Sequence, residues 1–166
     1  KTFKLIFNFM RAEVDILKLS DPNLSEDKII VRNSGLKLCL LVQDEDGPMV
    51  VIQKGIDLPE KYFERHYGRH FISPGAKCGY HAHKVTDQYI FATVGQFILR
   101  LDDGQRKQDI LMDQIHIGVR LGQRLWHSMT DFSSNSGYQV FADTFYDASD
   151  YIRDYQQFLA SVNPTH

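Results

Sequence analysis

The sequence predicts a mainly β domain with a closed or double-sheet architecture, and three observations predict it. Short apolar or alternating runs fill residues 36–146, residues with turn chemistry separate them, and no helical segment alternates with them as a parallel sheet would require. Connections this short favour antiparallel neighbours.

The elements follow in chain order. Lys1–Phe9 reads as a strand, the stretch after it has no clear period, and Asp21-Pro22-Asn23 marks a loop. Clear strands are Leu36–Val42, Pro48–Gln53, Gln88–Val94, Gln96–Leu101, Ile115–Leu121 and Tyr138–Phe145. Breakers stand between them at Asp46-Gly47, Ser73-Pro74-Gly75, Gly95 and Asp102-Asp103-Gly104, the last with the chemistry of a short hairpin. At the C-terminus the period changes. Tyr151, Ile152, Tyr155, Phe158, Leu159 and Val162 recur at helical spacing, and Asp147 or Ser149 stands where a cap is needed, which predicts a terminal amphipathic helix.

A chain of 166 residues suits one domain with a substantial core. The formal net charge of −2, spread over both signs, offers no basic face for a phosphate backbone, so no nucleic-acid partner is expected. No apolar run nears the roughly 20 residues that cross a bilayer, and Lys4 and Asn8 interrupt the opening segment, so neither a membrane partner nor a signal peptide is expected. Cys39 and Cys78 form no disulfide framework, and a cytoplasmic location is expected.

The chemistry concentrates in Gly75-Ala-Lys-Cys-Gly-Tyr-His81-Ala-His83-Lys84, followed by Gln88 and Gly95. On a strand, residues two apart share a face, so both imidazoles enter one cavity. The pattern resembles the first cupin motif, in which such a pair builds a metal or acid/base site inside a small barrel. Metal-binding cupins carry Glu where this chain carries Gln88, a neutral amide that ligates divalent ions poorly, and Asp87 points to the opposite face. Metal-free acid/base chemistry with no cofactor is therefore expected. The bland alternative is a pair of histidines hydrogen-bonded inside a barrel. Trp126-His127 closes a later strand and could wall a ligand pocket. Arg65, Tyr67 and Arg69 occupy alternate positions, so two guanidinium groups and a phenol share a face, suited to an anionic ligand if that face is the cavity and to solvent if it is not.

Four segments carry a more specific likeness: Gly79-Tyr-His-Ala-His-Lys84, Leu101-Asp-Asp-Gly104, Trp126-His-Ser-Met-Thr-Asp-Phe-Ser133 and Tyr146-Asp-Ala-Ser-Asp-Tyr-Ile-Arg-Asp-Tyr155. Together, over about residues 36–159, they resemble the nucleotide-sugar 3,4-ketoisomerases, also called WxcM-like. The resemblance implies a cupin-type double-stranded β-helix barrel and a homodimer without metal. It implies an enzyme that moves the keto group of a dTDP-4-keto-6-deoxyhexose from C4 to C3 on the way to a deoxy-amino sugar. Residues 35–166 would form that domain and 1–34 an extension of it. His81 would be the main base, His83 would assist, and Tyr67 or His127 would lie near the sugar oxygens. Arg65, Arg69, Lys84, Gln88, Arg100, Arg120, Trp126 and His127 would bind the nucleotide-sugar. The chain departs from the family in carrying Cys78 before the Gly of the His motif, Glu45-Asp46-Gly47 in place of Ser-Arg-Gly, and Arg120 in place of Tyr. Phosphate binding would then fall to Lys77, Arg120 or Arg124, or the ligand would differ. Rival readings are a nucleotide-sugar epimerase, a non-catalytic nucleotide-sugar-binding cupin and a metal-dependent oxygenase on the same barrel.

Overall fold

The computed structural model describes residues 15–163. The expected strand at Lys1–Phe9 lies outside the described residues. The chain runs through β1 (Leu17–Lys18), β2 (Ser34–Leu38), β3 (Leu40–Asp44), β4 (Gly47–Val51) and β5 (Arg65–Ile72). It continues through β6 (Cys78–His83), β7 (Gln88–Val94), β8 (Phe97–Asp102), β9 (Lys107–Met112) and β10 (Ile117–Leu121). β11 (Trp126–Thr130), β12 (Ser136–Ala142), β13 (Tyr151–Ile152) and α1 (Tyr155–Val162) complete it.

Two sheets face each other, ordered β1-β9-β8-β11-β6-β13 and β2-β10-β7-β12-β5, with β3-β4 as a separate hairpin. Among the described strands every pairing is antiparallel except that of β1 with β9, and an isolated parallel bridge joins Lys54 and Leu58. Period-two alternation explains the layers. Leu99 and Leu101 of β8, Ile90 and Ala92 of β7, Val119 and Leu121 of β10, and Tyr138 and Val140 of β12 turn inward and form one core between the sheets. Leu19 and Val31 join it, so the segment before β2 packs on the same core.

The outer faces are covered as well. Phe91 and Phe141 project from the back of the five-stranded sheet and are sealed by Cys39, Leu58 and Tyr62. Ala82 and Ile152 project from the back of the six-stranded sheet beneath Phe158 of α1, with Trp126 and Tyr155 packed against them. The loop Asp102-Asp103-Gly104 makes the expected tight hairpin: Gly104 has φ +86°, and its amide donates to Asp102 Oδ1 at 2.8 Å.

Two expectations are corrected. Leu36–Val42 is two strands: the Cys39 amide makes the last bond toward the β10 side, to His116 O at 2.8 Å, its side chain enters the outer core, and from Leu40 the chain pairs with β4 instead. The terminal helix begins at Tyr155, capped by Asp154, whose carboxylate accepts from Gln157 N at 2.7 Å, and not by Asp147 or Ser149. Asp147 instead caps a 3₁₀ turn, Ala148–Asp150. The apolar set from residue 151 therefore divides. Tyr151 and Ile152 pair with β6 as a strand, and only the residues from 155 onward keep the helical period.

Candidate active site

The site is built on three neighbouring strands of the six-stranded sheet. In β6, Ala82 faces outward beneath α1, so His81 and His83 face inward, as a strand requires. In β11 the same logic turns Trp126 outward and His127 inward, opposite His81 in the register. Between these strands the register slips at His127/Ser128. Gly79 (φ +80°) and Tyr80 (φ 58°) adopt left-handed backbone there, and a Cβ on Gly79 would come within 2.8 Å of His127 O. Only glycine permits so close an approach, and the bulge aims His81 at the cavity.

The three imidazoles form a cluster. Ring centroids lie 4.9 Å apart for His81–His83, 4.6 Å for His81–His127 and 6.0 Å for His83–His127. Tyr151 of β13 packs on both His81 (4.8 Å) and His83 (4.5 Å). A cavity of about 330 Å³ opens beside them, with His81, His127, Tyr67, Gln88 and Tyr151 among its walls and Arg69, Lys77 and Arg153 as its cations. Its volume suits a sugar-sized ligand. Gln88 Oε1 accepts from Tyr67 Oη at 3.4 Å.

Burial governs the protonation states. It pushes His81 down to about 4, against a contact with the Gly79 backbone that works the other way. It also lowers His83, which the Asp150 carboxylate partly restores. His127, fully enclosed and beside the other two rings, falls well below the ordinary histidine value. The Tyr67 phenol is pushed upward by burial and keeps its proton. The resting cluster is thus neutral imidazole facing a protonated phenol.

One nitrogen from each ring lies within 4.8 Å of the others, the one group of three or more such donors among the described residues whose spacing could admit a cation. The amide of Gln88 stands beside them in the cavity wall and supplies no charge to balance a divalent ion.

The remaining sequence candidates divide. Tyr67 and Arg69 line the cavity, while Arg65 packs over the rings of Tyr67 (5.4 Å) and Tyr146 (6.0 Å). Its Nε and Nη2 are closed off from solvent and have no hydrogen-bond partner among the described residues. Four others point elsewhere, which corrects the expectation that they line the ligand site. Arg100 projects from the back of β8 and pairs with Asp109 and Asp131, both at 3.2 Å. Arg120 projects from the back of β10 onto the carboxylate of buried Asp87 at 2.5 Å. Trp126 lies under α1, 5.2 Å from Tyr155 and 5.5 Å from Phe158. Lys84 Nζ donates to Ser149 O at 2.6 Å on the outside of the 3₁₀ turn. Arg124, weighed as a phosphate ligand, donates to Ser161 O at 3.2 Å.

Sequence reasoning assigned no role to Asp150, Tyr151 and Arg153. Tyr151 and Arg153 line the cavity, and Asp150 is hydrogen-bonded to His83. The segment Tyr146–Tyr155 was legible as a motif, but its apolar residues suggested a helix that would carry these side chains elsewhere.

Residues 32–163 match the family model described as FdtA: WxcM-like, C-terminal. The chain is 35% identical over 124 residues to the TDP-4-oxo-6-deoxy-alpha-D-glucose-3,4-oxoisomerase of Aneurinibacillus thermoaerophilus, covering 72% of this chain and 88% of that relative. Among solved structures it resembles QdtA, a 3,4-ketoisomerase from Thermoanaerobacterium thermosaccharolyticum, in a histidine-to-asparagine variant complexed with TDP-4-keto-6-deoxyglucose. That match has a TM-score of 0.76 and 26% identity, over 80% of this chain and 96% of that one. It also resembles WlaRB, a TDP-quinovose 3,4-ketoisomerase from Campylobacter jejuni, with a TM-score of 0.72 and 28% identity over 78% of this chain and 98% of that one. The two-sheet barrel with its terminal helix is the fold expected from the sequence.

Proposed function

The chain belongs to the FdtA-type, WxcM-like family, and from that premise we propose that it is a 3,4-ketoisomerase of a dTDP-4-keto-6-deoxyhexose, acting in the cytosol as a homodimer. Residues 35–166 are its catalytic domain and 1–34 an extension. The observation that carries this reading is the neutral imidazole cluster at a sugar-sized cavity, beside a phenol held protonated.

The sugar is held with its C3–H toward His81. The proton leaves C3 for the imidazole, and its electron pair enters an enediol across C3 and C4. The proton then returns at C4 while the hydroxyl proton passes between the two oxygens. His83 assists the transfer. The Tyr67 O–H, turned from Gln88 Oε1 to the bound sugar, hydrogen-bonds its oxygens and steadies the charge that develops on them. Arg69, Lys77 and Arg153 meet the pyrophosphate. The enclosed, unpaired guanidinium of Arg65 attracts the same anion or the enediolate oxygen.

Proton NMR of the protein with dTDP-4-keto-6-deoxyglucose in deuterated buffer tests the proposal. Deuterium is expected at the carbons flanking the carbonyl, with a 3-keto product and rates unchanged by a chelator. Binding without exchange would replace the proposal with a ligand-binding role. An epimerised product that keeps its 4-keto group would replace it with an epimerase, and loss of activity in chelator would replace it with metal chemistry.

The pH profile gives a second test. A lowered pKa favours the neutral ring, so the base form persists on acidification until pH falls through the folded value, about 4 for His81. The acidic limb of kcat/KM is therefore expected below about pH 5, well under the ordinary histidine range. A limb at or above that range would remove His81 from the role of base.

A further inference from the structure

His83 is tied to a carboxylate 67 residues further along the chain. Its Nδ1–H donates to Asp150 Oδ2 at 2.8 Å, and Asp150 is 5% exposed. Thr86 Oγ1 donates to the same oxygen at 2.6 Å, and Val85 N to Oδ1 at 2.8 Å. The backbone at Asp150 is held too: Lys84 N donates to its carbonyl at 2.9 Å, and Asp147 caps the turn that carries it. Burial works against ionisation of this carboxylate, but these three donors outweigh it and keep the group charged.

An ionised carboxylate can only accept, which fixes the tautomer of His83 with its proton on Nδ1. Its Nε2 is left bare, enclosed and without a partner. His127 is fixed in the same sense, because its Nδ1 lies 3.1 Å from Leu125 O, a carbonyl that cannot donate. Two lone pairs therefore face the small space they share with His81. Among the described residues Asp150 is the one anion hydrogen-bonded to any of the three rings. Arg65 and Arg153 act on His83 in the opposite sense.

We propose that Asp150 is the positioning residue of the acid/base cluster: it locks His83 as the Nδ1–H tautomer with Nε2 free to take a proton, and it balances the charge of the imidazolium that results. The inference rests on the ketoisomerase reading. His81, which lines the cavity, takes the C3 proton while the electron pair stays on the enediolate; that proton can pass on to His83 Nε2 within the ring cluster, and it returns through His81 to C4 when the product forms. Without Asp150, three clustered imidazoles that each resist protonation would have no hydrogen-bonded counter-ion among the described residues for that transient charge.

The test is Asp150→Asn, read by long-range ¹H–¹⁵N correlation of the histidine rings and by steady-state kinetics. The asparagine amide can donate to Nδ1, so His83 is expected to shift toward the Nε2–H tautomer. The value of kcat is expected to fall about 10²-fold or more, with KM and TDP binding near wild type. Asp150→Glu, which restores the charge, is expected to recover part of both signals. Retention of the Nδ1–H tautomer in Asp150→Asn, or a kcat within about threefold of wild type, would overturn the proposal. If that variant does not fold, the wild type decides: a proton found on Nε2 of His83 overturns the assignment, and one on Nδ1 supports it. A wild type that never turns over the sugar counts against the ketoisomerase reading, whereas the tautomer result bears on Asp150 alone.

Discussion

His81→Asn is expected to lower kcat about 10²- to 10⁴-fold, or about 3–5 kcal/mol of transition-state stabilisation, while KM and melting temperature stay near wild type. The reason lies in what the ring touches. His81 reaches the cavity and its Nδ1 has no hydrogen-bond partner, so little folding free energy depends on it. Asparagine is neutral and smaller and leaves the pocket open, but it cannot accept a proton from carbon. The loss therefore falls on the chemical step and not on binding. Steady-state kinetics with the 4-keto sugar, alongside a thermal melt, checks both halves. Near-normal turnover would remove His81 as the base. A collapse in stability would show instead that the ring is structural.

Phe158→Ala is expected to cost about 3–5 kcal/mol of folding stability, a fall in melting temperature of roughly 10 °C for a chain of this size. The Phe158 side chain is completely buried, enclosed by Trp126 and Tyr155 and packed over Ala82 and Ile152. Ala82 lies between His81 and His83, and Ile152 follows Tyr151. The cavity left by the phenyl ring would thus loosen the back of the strands whose front faces carry the site. Activity at a temperature where the variant is still folded is expected to fall as well, because Tyr151 and Asp150 lose the packing that holds β13 on β6. Chemical denaturation measures the stability, and a loss below about 1 kcal/mol would show that α1 contributes little to that clamp.

How much of this was legible depended on whether a residue's role is local. His81 and His83 were readable because alternation on a strand is a two-residue rule. The same rule put Tyr67 and Arg69 on one face, although whether that face is the cavity is decided by pairing with β12, which no local pattern contains. Arg100 and Arg120 look like ligands of an anion until the neighbours of their strands are known. Their flanking residues, Leu99 with Leu101 and Val119 with Leu121, fill the core, so the guanidinium groups must lie outside and take the acidic residues there. Trp126 was misassigned for the same reason, one step out of phase with His127. Asp150 and Tyr151 were the hardest. Their apolar neighbours mimic a helix, whereas the contact that defines them is a pairing with residues about 70 positions earlier. Cys39 illustrates a smaller failure: a continuous apolar run hides the point where the chain leaves one neighbouring strand, β10, and pairs with another, β4.

The two residues of β13 also have a consequence for the order in which the molecule acquires its chemistry. β6 and β11, which carry all three imidazoles, leave the ribosome well before residue 150, at a synthesis rate of roughly 5–20 residues per second. A nascent chain can thus hold the rings while lacking the carboxylate and the tyrosine that complete their surroundings. Until Tyr151–Ile152 seats on β6, His83 has no anion beside it and the cavity lacks the wall that Tyr151 supplies. On the proposed mechanism such a partly made barrel lacks two of the groups that surround its base. A pairing only two residues long thus supplies the last surroundings of rings that sit roughly 20 to 70 residues earlier in the chain.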